Sequence, residues 1–321
     1  MTPLRIRRVA VLGGSGFVGR VLCEQLSAAD AGLRIVVPTR RLSHAQALLP
    51  LPALDVLQAD VQDEKQLAQA IAGCDAVVNL VAILHGSAAD FEHAHVTLPR
   101  RLAQACAAVG VKRVVHVSAL GVTAGAPSNY LASKAAGEAV LQQAPLALTL
   151  LRPSVIFGAQ DRFMNLFARL QALLPLMPLA CGGAGFQPVW VDDVAAAIVA
   201  CLRRPDTAGQ VYECAGPTVY TLSRLVHLAG QWSGHDRPQL RLPLWAGRLQ
   251  ALSLELLPGT PLMSRDNLKS MQVPNIATGQ RPGLDALGIT PAALEAVAPR
   301  YLGAQDGRAR LERLRAVARR G

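Results

Sequence analysis

The chain has 321 residues, of which 51% are hydrophobic and 17% charged; this excludes disorder of the whole chain and fits a globule with a sizeable core. Aromatic residues make up only 4%, so a core of Ala, Val and Leu is predicted, as in a sheet covered by helices. The formal net charge is +10, but residues 308–321 hold six arginines and one glutamate, and charge confined largely to one end argues against a nucleic-acid-binding protein.

Apolar runs alternate with helical patterns over the first half of the chain. The predicted strands are 8–12, 33–39, 54–60, 75–83, 111–120 and 147–158, and the helices between them begin near residues 17, 63, 94 and 130. Strands that are apolar on both faces and alternate with helices are typical of a parallel sheet covered on both sides. The pattern therefore predicts an α/β fold of the Rossmann type, with a doubly wound parallel sheet.

The alternation ends after residue 158, which sets the predicted domain boundaries. Residues 1–158 are predicted to form a dinucleotide-binding domain, 159–305 a smaller α/β lobe interwoven with it, and 306–321 a basic amphipathic tail. Two aliphatic segments, 173–188 and 242–262, belong to the smaller lobe. They favour a hydrophobic small molecule such as a quinone, a lipid or protein surface, or plain core packing.

A glycine-rich turn follows the first predicted strand. Gly13, Gly16 and Gly19 form the pattern G-x-x-G-x-x-G between that strand and the helix that begins at Phe17. Glycines here permit a tight turn and a close approach of the backbone to a pyrophosphate, whose negative charge meets the free amides of the helix N-terminus. The turn is predicted to bind the diphosphate of a nicotinamide dinucleotide, with a plain tight turn as the alternative.

The end of the second predicted strand bears on which dinucleotide is bound. That strand runs into Thr39, Arg40 and Arg41, without the acidic residue that would hold a ribose 2′-hydroxyl. Two guanidiniums suit a 2′-phosphate, so NADP(H) is favoured over NAD(H), although adjacent arginines also occur in solvated loops. Asp60 ends the third strand and is placed either to approach the adenine or to serve as an N-terminal acid of the next helix.

Ser118, Tyr130 and Lys134 form a candidate catalytic set. Ser118 ends the fifth predicted strand, at the edge where such sheets bind ligands, and Tyr130 and Lys134 lie about 40° apart around a helix. An ammonium beside a phenol favours the phenolate, and the tyrosine can then exchange a proton with a carbonyl oxygen while hydride passes to or from its carbon. The serine would orient that oxygen, and the lysine can also hold the nicotinamide ribose.

Several segments resemble a known family. GGSGFVGR, LQAD, VVNLVA, HVSALG, YLASK and LRPSVIFG resemble the short-chain dehydrogenase/reductases in their atypical extended branch. YLASKAAGEAVL, FQPVWVDDVAAAI and PLMSRDNLKSM are similar to the nucleotide-binding accessory subunit of mitochondrial respiratory complex I and its bacterial relatives. The resemblance implies a tightly held NADP(H) with Pro153 near the nicotinamide. The other implied contacts are Gly13, Gly16, Phe17, Val18, Arg40, Asp60, Asn79, Tyr130 and Lys134.

Two functions follow from the motifs and the resemblance. The first is an NADP(H)-dependent oxidoreductase acting on a hydrophobic carbonyl or quinone-like compound. The second is a non-catalytic, cofactor-bound structural or assembly protein of respiratory complex I or of ubiquinone biosynthesis. A nucleotide-sugar substrate is disfavoured, because the segment between Ser118 and Tyr130 is too short for the loop that shapes the sugar pocket in extended enzymes.

The expected partners and location depend on the two ends of the chain. The basic amphipathic tail fits an anionic membrane surface, an acidic partner such as a respiratory complex, or a solvated terminal helix. The first residues are interpreted as a strand and not a signal peptide, and no apolar run reaches the roughly 18 residues of a spanning helix. A cytoplasmic protein, peripheral to the inner face of the membrane, is therefore expected. No metal site is predicted, because the histidines and cysteines form no ligand cluster.

Overall fold

The computed structural model describes residues 6–259 and 261–303, and the chain divides into two units. The first unit runs up to Pro153 and then takes in Val191–Cys214 and Ala277–Thr290. The second comprises Ser154–Trp190, Ala215–Ile276 and residues 291–303. Segments 191–214 and 277–290, which the sequence-based division places in the smaller lobe, thus belong to the first unit. The predicted tail 306–321 lies outside the described residues.

The described residues contain short strands separated by helices. The strands are β1 (Arg8–Leu12), β2 (Arg34–Thr39), β3 (Leu54–Gln58), β4 (Ala76–Asn79), β5 (Arg113–Val117), β6 (Ala147–Pro153), β7 (Ile156–Phe157), β8 (Met177–Ala180), β9 (Gly185–Phe186), β10 (Val189–Trp190), β11 (Val211–Cys214), β12 (Tyr220–Thr221) and β13 (Gln239–Leu242). The helices are α1 (Phe17–Ala29), α2 (Glu64–Ile71), α3 (Ala88–Glu92), α4 (Leu98–Val109), α5 (Asn129–Gln143), α6 (Met164–Leu173), α7 (Val191–Arg203), α8 (Leu222–Ser233), α9 (Leu244–Glu255), α10 (Arg265–Ser270) and α11 (Leu294–Leu302). A π-helical turn, His93–Thr97, joins α3 to α4.

The first unit is built on a seven-stranded sheet with the order β11-β6-β5-β4-β1-β2-β3. Every neighbouring pair is parallel. The order from β3 to β6 is that of a Rossmann fold, and it reverses between β1 and β4. This confirms the predicted doubly wound α/β fold and puts the expected ligand crevice at the carboxyl ends of those two strands.

Helices cover both faces of the sheet. On one face, α2, α4 and α5 contribute Leu67, Leu102 and Leu141 to a core cluster that also contains Val77 of β4. The other face is covered by α1 and α7, which pack on each other. Burial on both sides explains why β1 is apolar at consecutive positions from Val9 onward and does not alternate with polar residues.

The predicted strand 147–158 is two strands that belong to different units. β6 ends at Pro153, and the chain turns at Ser154, whose hydroxyl donates to the side-chain oxygen of Asn275 at 2.7 Å. The same oxygen accepts the amide of Val155 at 2.8 Å. After this turn β7 pairs in parallel with β10 and not with the large sheet.

The second unit combines short strands with helices. Its strands pair two by two: β7 with β10, β9 with β12 and β8 with β13. Helices α6, α8 and α11 enclose a core cluster that includes Phe157, Leu225 and Leu294. Thr221 is the N-cap of α8, and its hydroxyl oxygen accepts the amide of Arg224 at 3.2 Å. Within the described residues, no helix is both long and apolar enough to cross a bilayer.

Candidate functional site

The glycine turn between β1 and α1 has the geometry of a phosphate-binding cradle. Gly13 has a φ of +80°, and the amide of Gly16 donates to its carbonyl at 2.9 Å. A Cβ on Gly19 would lie 2.4 Å from the Gly13 carbonyl oxygen, so α1 packs directly on the turn. The cap residue of α1 is Gly16, which has no side chain to satisfy the first helical amides, those of Phe17, Val18 and Gly19. The turn therefore fits an anionic diphosphate.

The predicted site residues share one edge of the sheet. Strands β1 to β6 are parallel, so their carboxyl ends lie together. The residues at or just after those ends are Gly13 for β1, Thr39, Arg40 and Arg41 for β2, Asp60 for β3, Asn79 for β4, Ser118 for β5 and Pro153 for β6. Tyr130 and Lys134 lie on α5, which follows β5. Tertiary structure thus places these residues along the carboxyl edge of the sheet in the first unit.

The β2 end of this edge presents two cations to solvent. Arg40 and Arg41 are exposed, while Thr39 is buried and donates its hydroxyl to the Arg41 carbonyl at 3.1 Å. This bond holds the turn that carries both guanidiniums.

Asp60 had two predicted roles, and one of them belongs to another residue. The N-cap of α2 is Asp63, whose carboxylate accepts the amide of Gln66 at 2.9 Å. The carboxylate of Asp60 instead accepts the amide of Gln62 at 3.0 Å, in a turn before the helix. Asp60 is therefore not the helix cap, and approach to an adenine stays a prediction.

Lys134 fastens α5 to the end of β5. Its ammonium donates to the carbonyl of Val117 at 3.0 Å, and the residue is only 2% exposed. Burial lowers the pKa of Lys134 to about 8, against the opposing effect of the nearby Glu138 carboxylate. The residue after Val117 is Ser118, whose buried hydroxyl has no partner among residues 6–259 and 261–303. An orphaned hydroxyl at this edge fits a ligand oxygen.

Tyr130 differs from its sequence-based expectation. A neighbouring ammonium was expected to favour the phenolate, but burial raises the pKa of Tyr130 to about 12. The opposite shift has a physical reason, because the Lys134 ammonium is directed to the Val117 carbonyl and desolvation dominates at the phenol. Tyr130 is thus protonated at neutral pH and is set to donate a proton.

A histidine outside the predicted set of site residues, His95, packs on this tyrosine. The His95 and Tyr130 rings meet edge to face with centroids 5.6 Å apart. His95 Nε2 accepts the amide of Ile83 at 3.1 Å, so its proton lies on Nδ1 and points to the Ser133 hydroxyl 2.9 Å away. Ser133 donates in turn to the Tyr130 carbonyl at 2.9 Å. Burial, aided by Lys134, lowers the pKa of His95 to about 3, so the ring is neutral.

The π-helical turn explains how His95 reaches α5. A Cβ on Gly137 would lie 1.8 Å from the His95 carbonyl oxygen, so the two elements meet where α5 has no side chain. The extra residue of a π-turn changes the face on which a side chain projects, and such turns are frequent at functional sites. Spacing along the chain gave no signal for this contact.

A second unpredicted histidine fixes Asn79. His116 Nδ1 lies 3.1 Å from the Asn79 amide nitrogen, while the Asn79 oxygen accepts the amide of Val81 at 3.1 Å. Burial, with smaller effects of Lys134 and His95, lowers the pKa of His116 well below its ordinary value, so the ring accepts this bond as a neutral group. A histidine inside the otherwise apolar segment 111–120 was the signal in the sequence.

Burial of Lys134 predicts a pH-dependent stability. Between about pH 8 and about pH 10 the unfolded lysine keeps its proton while the folded one loses it, so stability rises with pH, by up to about 1.4 kcal/mol per pH unit. Urea titrations of nucleotide-free protein measure the free energy of unfolding of the wild type and of Lys134→Met. The wild-type value minus the variant value should rise across this pH window. Lys112→Met, which removes an exposed lysine, is the control. A difference that stays flat across the window would contradict the buried ammonium.

Comparison with known proteins identifies the family. The model of the NAD dependent epimerase/dehydratase family matches residues 9–215. The chain belongs to this family. The matched range contains the glycine turn, the strand ends and α5, so the family's common region carries the whole candidate site.

Members of the family and related structures resemble the chain over most of its length. It is 32% identical over 295 residues to the mitochondrial NADH dehydrogenase (ubiquinone) 1 alpha subcomplex subunit 9 of Mus musculus, covering 89% of this chain and 77% of that protein. It is 28% identical over 237 residues to a ceramide reductase of Caulobacter vibrioides, covering 73% of each. Among solved structures, an NADPH-dependent quinone oxidoreductase of Escherichia coli complexed with NADPH superposes with a TM-score of 0.73, at 21% identity, over 90% of this chain and 98% of that one.

Proposed function

We propose that the protein is an NADP(H)-dependent oxidoreductase that reduces a hydrophobic carbonyl or quinone-like compound. The observation that supports this proposal most directly is the arrangement of side chains at the end of β5. The buried hydroxyl of Ser118 has no partner among the described residues. The preceding carbonyl, that of Val117, accepts the ammonium of Lys134. Lys134 is one helical turn from Tyr130, whose phenol is protonated. A hydrogen-bond donor and a proton donor beside a dinucleotide cradle are the groups that a carbonyl reduction needs.

The residues have distinct roles in this proposal. The free amides of Phe17 and Val18 hold the diphosphate, and Lys134 holds a ribose hydroxyl. NADPH, when bound, supplies the hydride. Ser118 donates a hydrogen bond to the substrate carbonyl oxygen, and Tyr130 transfers its phenolic proton to that oxygen as negative charge develops there. Solvent then returns the proton to Tyr130.

The names of the relatives support an apolar substrate. One relative is named a ceramide reductase, and a structural neighbour is named a quinone oxidoreductase. A long apolar carbonyl compound or a quinone fits both of these names.

A preference for NADP(H) over NAD(H) rests on Arg40 and Arg41. Arg40→Ala and Arg41→Ala should each weaken NADPH binding by about 10- to 100-fold, because each removes a charge-assisted hydrogen bond to the 2′-phosphate. NADH binding should change little. Titration calorimetry with both nucleotides measures the difference, and Arg34→Ala is the matched control, since this exposed arginine at the other end of β2 pairs with Asp55 at 3.0 Å. Equal losses for NADH and NADPH would contradict the proposal.

The second candidate is a non-catalytic, cofactor-bound subunit or assembly protein of a respiratory complex or of ubiquinone biosynthesis. The observation that favours it is the 32% identity to a protein named as an NADH dehydrogenase subunit. In this role the dinucleotide stabilises the first unit, and the protein is peripheral to the membrane that carries the complex.

Two measurements on the purified protein test the proposals. Denaturation should release NADP(H), which chromatography identifies; release of NAD(H) would overturn the nucleotide preference. NADPH oxidation with a panel of quinones and long-chain ketones should then show turnover. Bound NADPH that no compound of the panel oxidises would overturn the oxidoreductase and favour the second candidate.

A further inference from the structure

Helix α9 presents its large apolar side chains to solvent. Three of them and Leu256, the residue directly after the helix, follow the spacing i, i+4, i+7, i+11 and form one stripe, which we call the outer stripe. Their exposed fractions are 67% for Trp245, 59% for Leu249, 38% for Leu252 and 79% for Leu256. An ordinary surface helix turns such a stripe toward the core. The outer stripe therefore has the pattern of a buried face at an exposed position.

The small residues of α9 face inward and fix this orientation. Gly247 and Ala251 are buried, and Ala251 packs with Ala180 and Leu268. A Cβ on Gly247 would lie 2.4 Å from the Cβ of Ala180. Because the helix touches β8 this closely at Gly247, rotation that turned a larger side chain toward Ala180 would force an overlap.

The apolar surface continues beyond the stripe. Leu244 precedes it, and Leu257 and Leu262 follow it, all exposed by more than a third. A patch of this many large aliphatic side chains exceeds what isolated surface leucines explain and marks an interaction surface.

Charges around the patch are predominantly basic. Residues 241–269 contain four basic and two acidic residues. One acid, Glu255, is paired with Arg265 at 2.8 Å. Arg241 and Arg248 are exposed, one just before α9 and the other between members of the outer stripe. An apolar stripe ending in tryptophan and flanked by arginines complements an anionic lipid surface, where aliphatic chains meet leucines and headgroups meet guanidiniums.

We propose that α9 lies in the headgroup region of an anionic bilayer, with the outer stripe in the acyl boundary. The occupant is lipid and not a folded partner, because the leucines form a continuous stripe instead of filling separate pockets, and leucine is under-represented among the residues that dominate protein interfaces. The residues of this docking surface are other than those of the predicted basic tail and of the site in the first unit.

Trp245 reports on the contact directly. The full-length protein would be mixed with phosphatidylcholine vesicles, with or without phosphatidylglycerol, whose acyl chains carry bromine quenchers. The chain has two other tryptophans, so their emission is removed by subtracting the signal of the Trp245→Phe variant. The remaining emission of Trp245 should shift to the blue and be quenched only with the anionic vesicles. The double variant Leu249→Gln, Leu256→Gln should bind these vesicles at least about 100-fold more weakly, because it removes the aliphatic contacts of two leucines with the acyl chains.

Controls separate the alternatives. Leu173→Gln removes a leucine of α6 that is 80% exposed and should leave vesicle binding unchanged. NADPH affinity and thermal unfolding of each variant show that the fold is retained. Vesicle binding without quenching of Trp245 would overturn the proposal by assigning the contact to another surface such as the tail. Absence of vesicle binding, or self-association in ultracentrifugation that the double variant abolishes, would overturn it as well.

Discussion

Replacing Gly19 with alanine is expected to abolish nucleotide binding and to lower the free energy of unfolding by about 3 kcal/mol or more. In an unconstrained helix the same change would stabilise by about 1 kcal/mol, since alanine has the higher helix propensity. Here the added Cβ would lie 2.4 Å from the Gly13 carbonyl oxygen and 2.5 Å from the Gly14 Cα. Both atoms are backbone, so the turn itself must move, and its amides lose their alignment on the diphosphate.

Urea titration and calorimetry with NADPH measure the two effects of Gly19→Ala. The matched control is Gly183→Ala, because a Cβ at Gly183 meets no atom within 4 Å. This control should retain stability and binding. Wild-type NADPH affinity in Gly19→Ala would show that the diphosphate is bound elsewhere, and both functional proposals would fail.

Replacing Tyr130 with phenylalanine is expected to lower kcat by about 10²- to 10⁴-fold while leaving NADPH affinity nearly unchanged. The ring keeps its edge-to-face contacts with His95 at 5.6 Å and Phe91 at 6.2 Å, so the change removes the proton donor without removing the packing. Because the pKa of Tyr130 is raised to about 12, the phenol stays protonated over the usual assay range, and reduction should show no basic limb from this group below that value. Steady-state kinetics across pH and single-turnover oxidation of bound NADPH measure these effects.

The same variant separates the two candidate functions. Tyr220→Phe is the control, since it also removes one hydroxyl but from a tyrosine of the second unit that donates to Glu295 at 2.7 Å. If turnover by Tyr130→Phe equals that of the wild type, the assignment of Tyr130 as the proton donor is wrong. If the wild type shows no turnover and the variant supports respiratory growth equally well, the cofactor-bound structural role is favoured.

Local patterns in the sequence predicted the architecture of the first unit. The predicted strand 8–12 and the helix beginning at Phe17 match β1 and α1, because apolar runs and glycine placement are dictated by neighbours along the chain. The same patterns located the candidate site, since residues that follow parallel strands must meet at one edge of the sheet. The glycine turn, the Arg40–Arg41 pair and the Ser118, Tyr130 and Lys134 set were all visible in this way.

Tertiary structure decided the features that depend on distant contacts. Burial, and not the neighbouring ammonium, governs the pKa of Tyr130, and desolvation has no signature in local spacing. Asp63 and not Asp60 caps α2, because the turn at Asp60 directs its carboxylate to the Gln62 amide, whereas the Asp63 carboxylate accepts the Gln66 amide of the helix. The outward stripe of α9 could not be foreseen either, because a leucine-rich helix is expected to face the core unless close packing of Gly247 on a distant strand holds it the other way. Periodicity along the chain specifies which residues share a face, whereas only the assembled neighbours determine what that face meets.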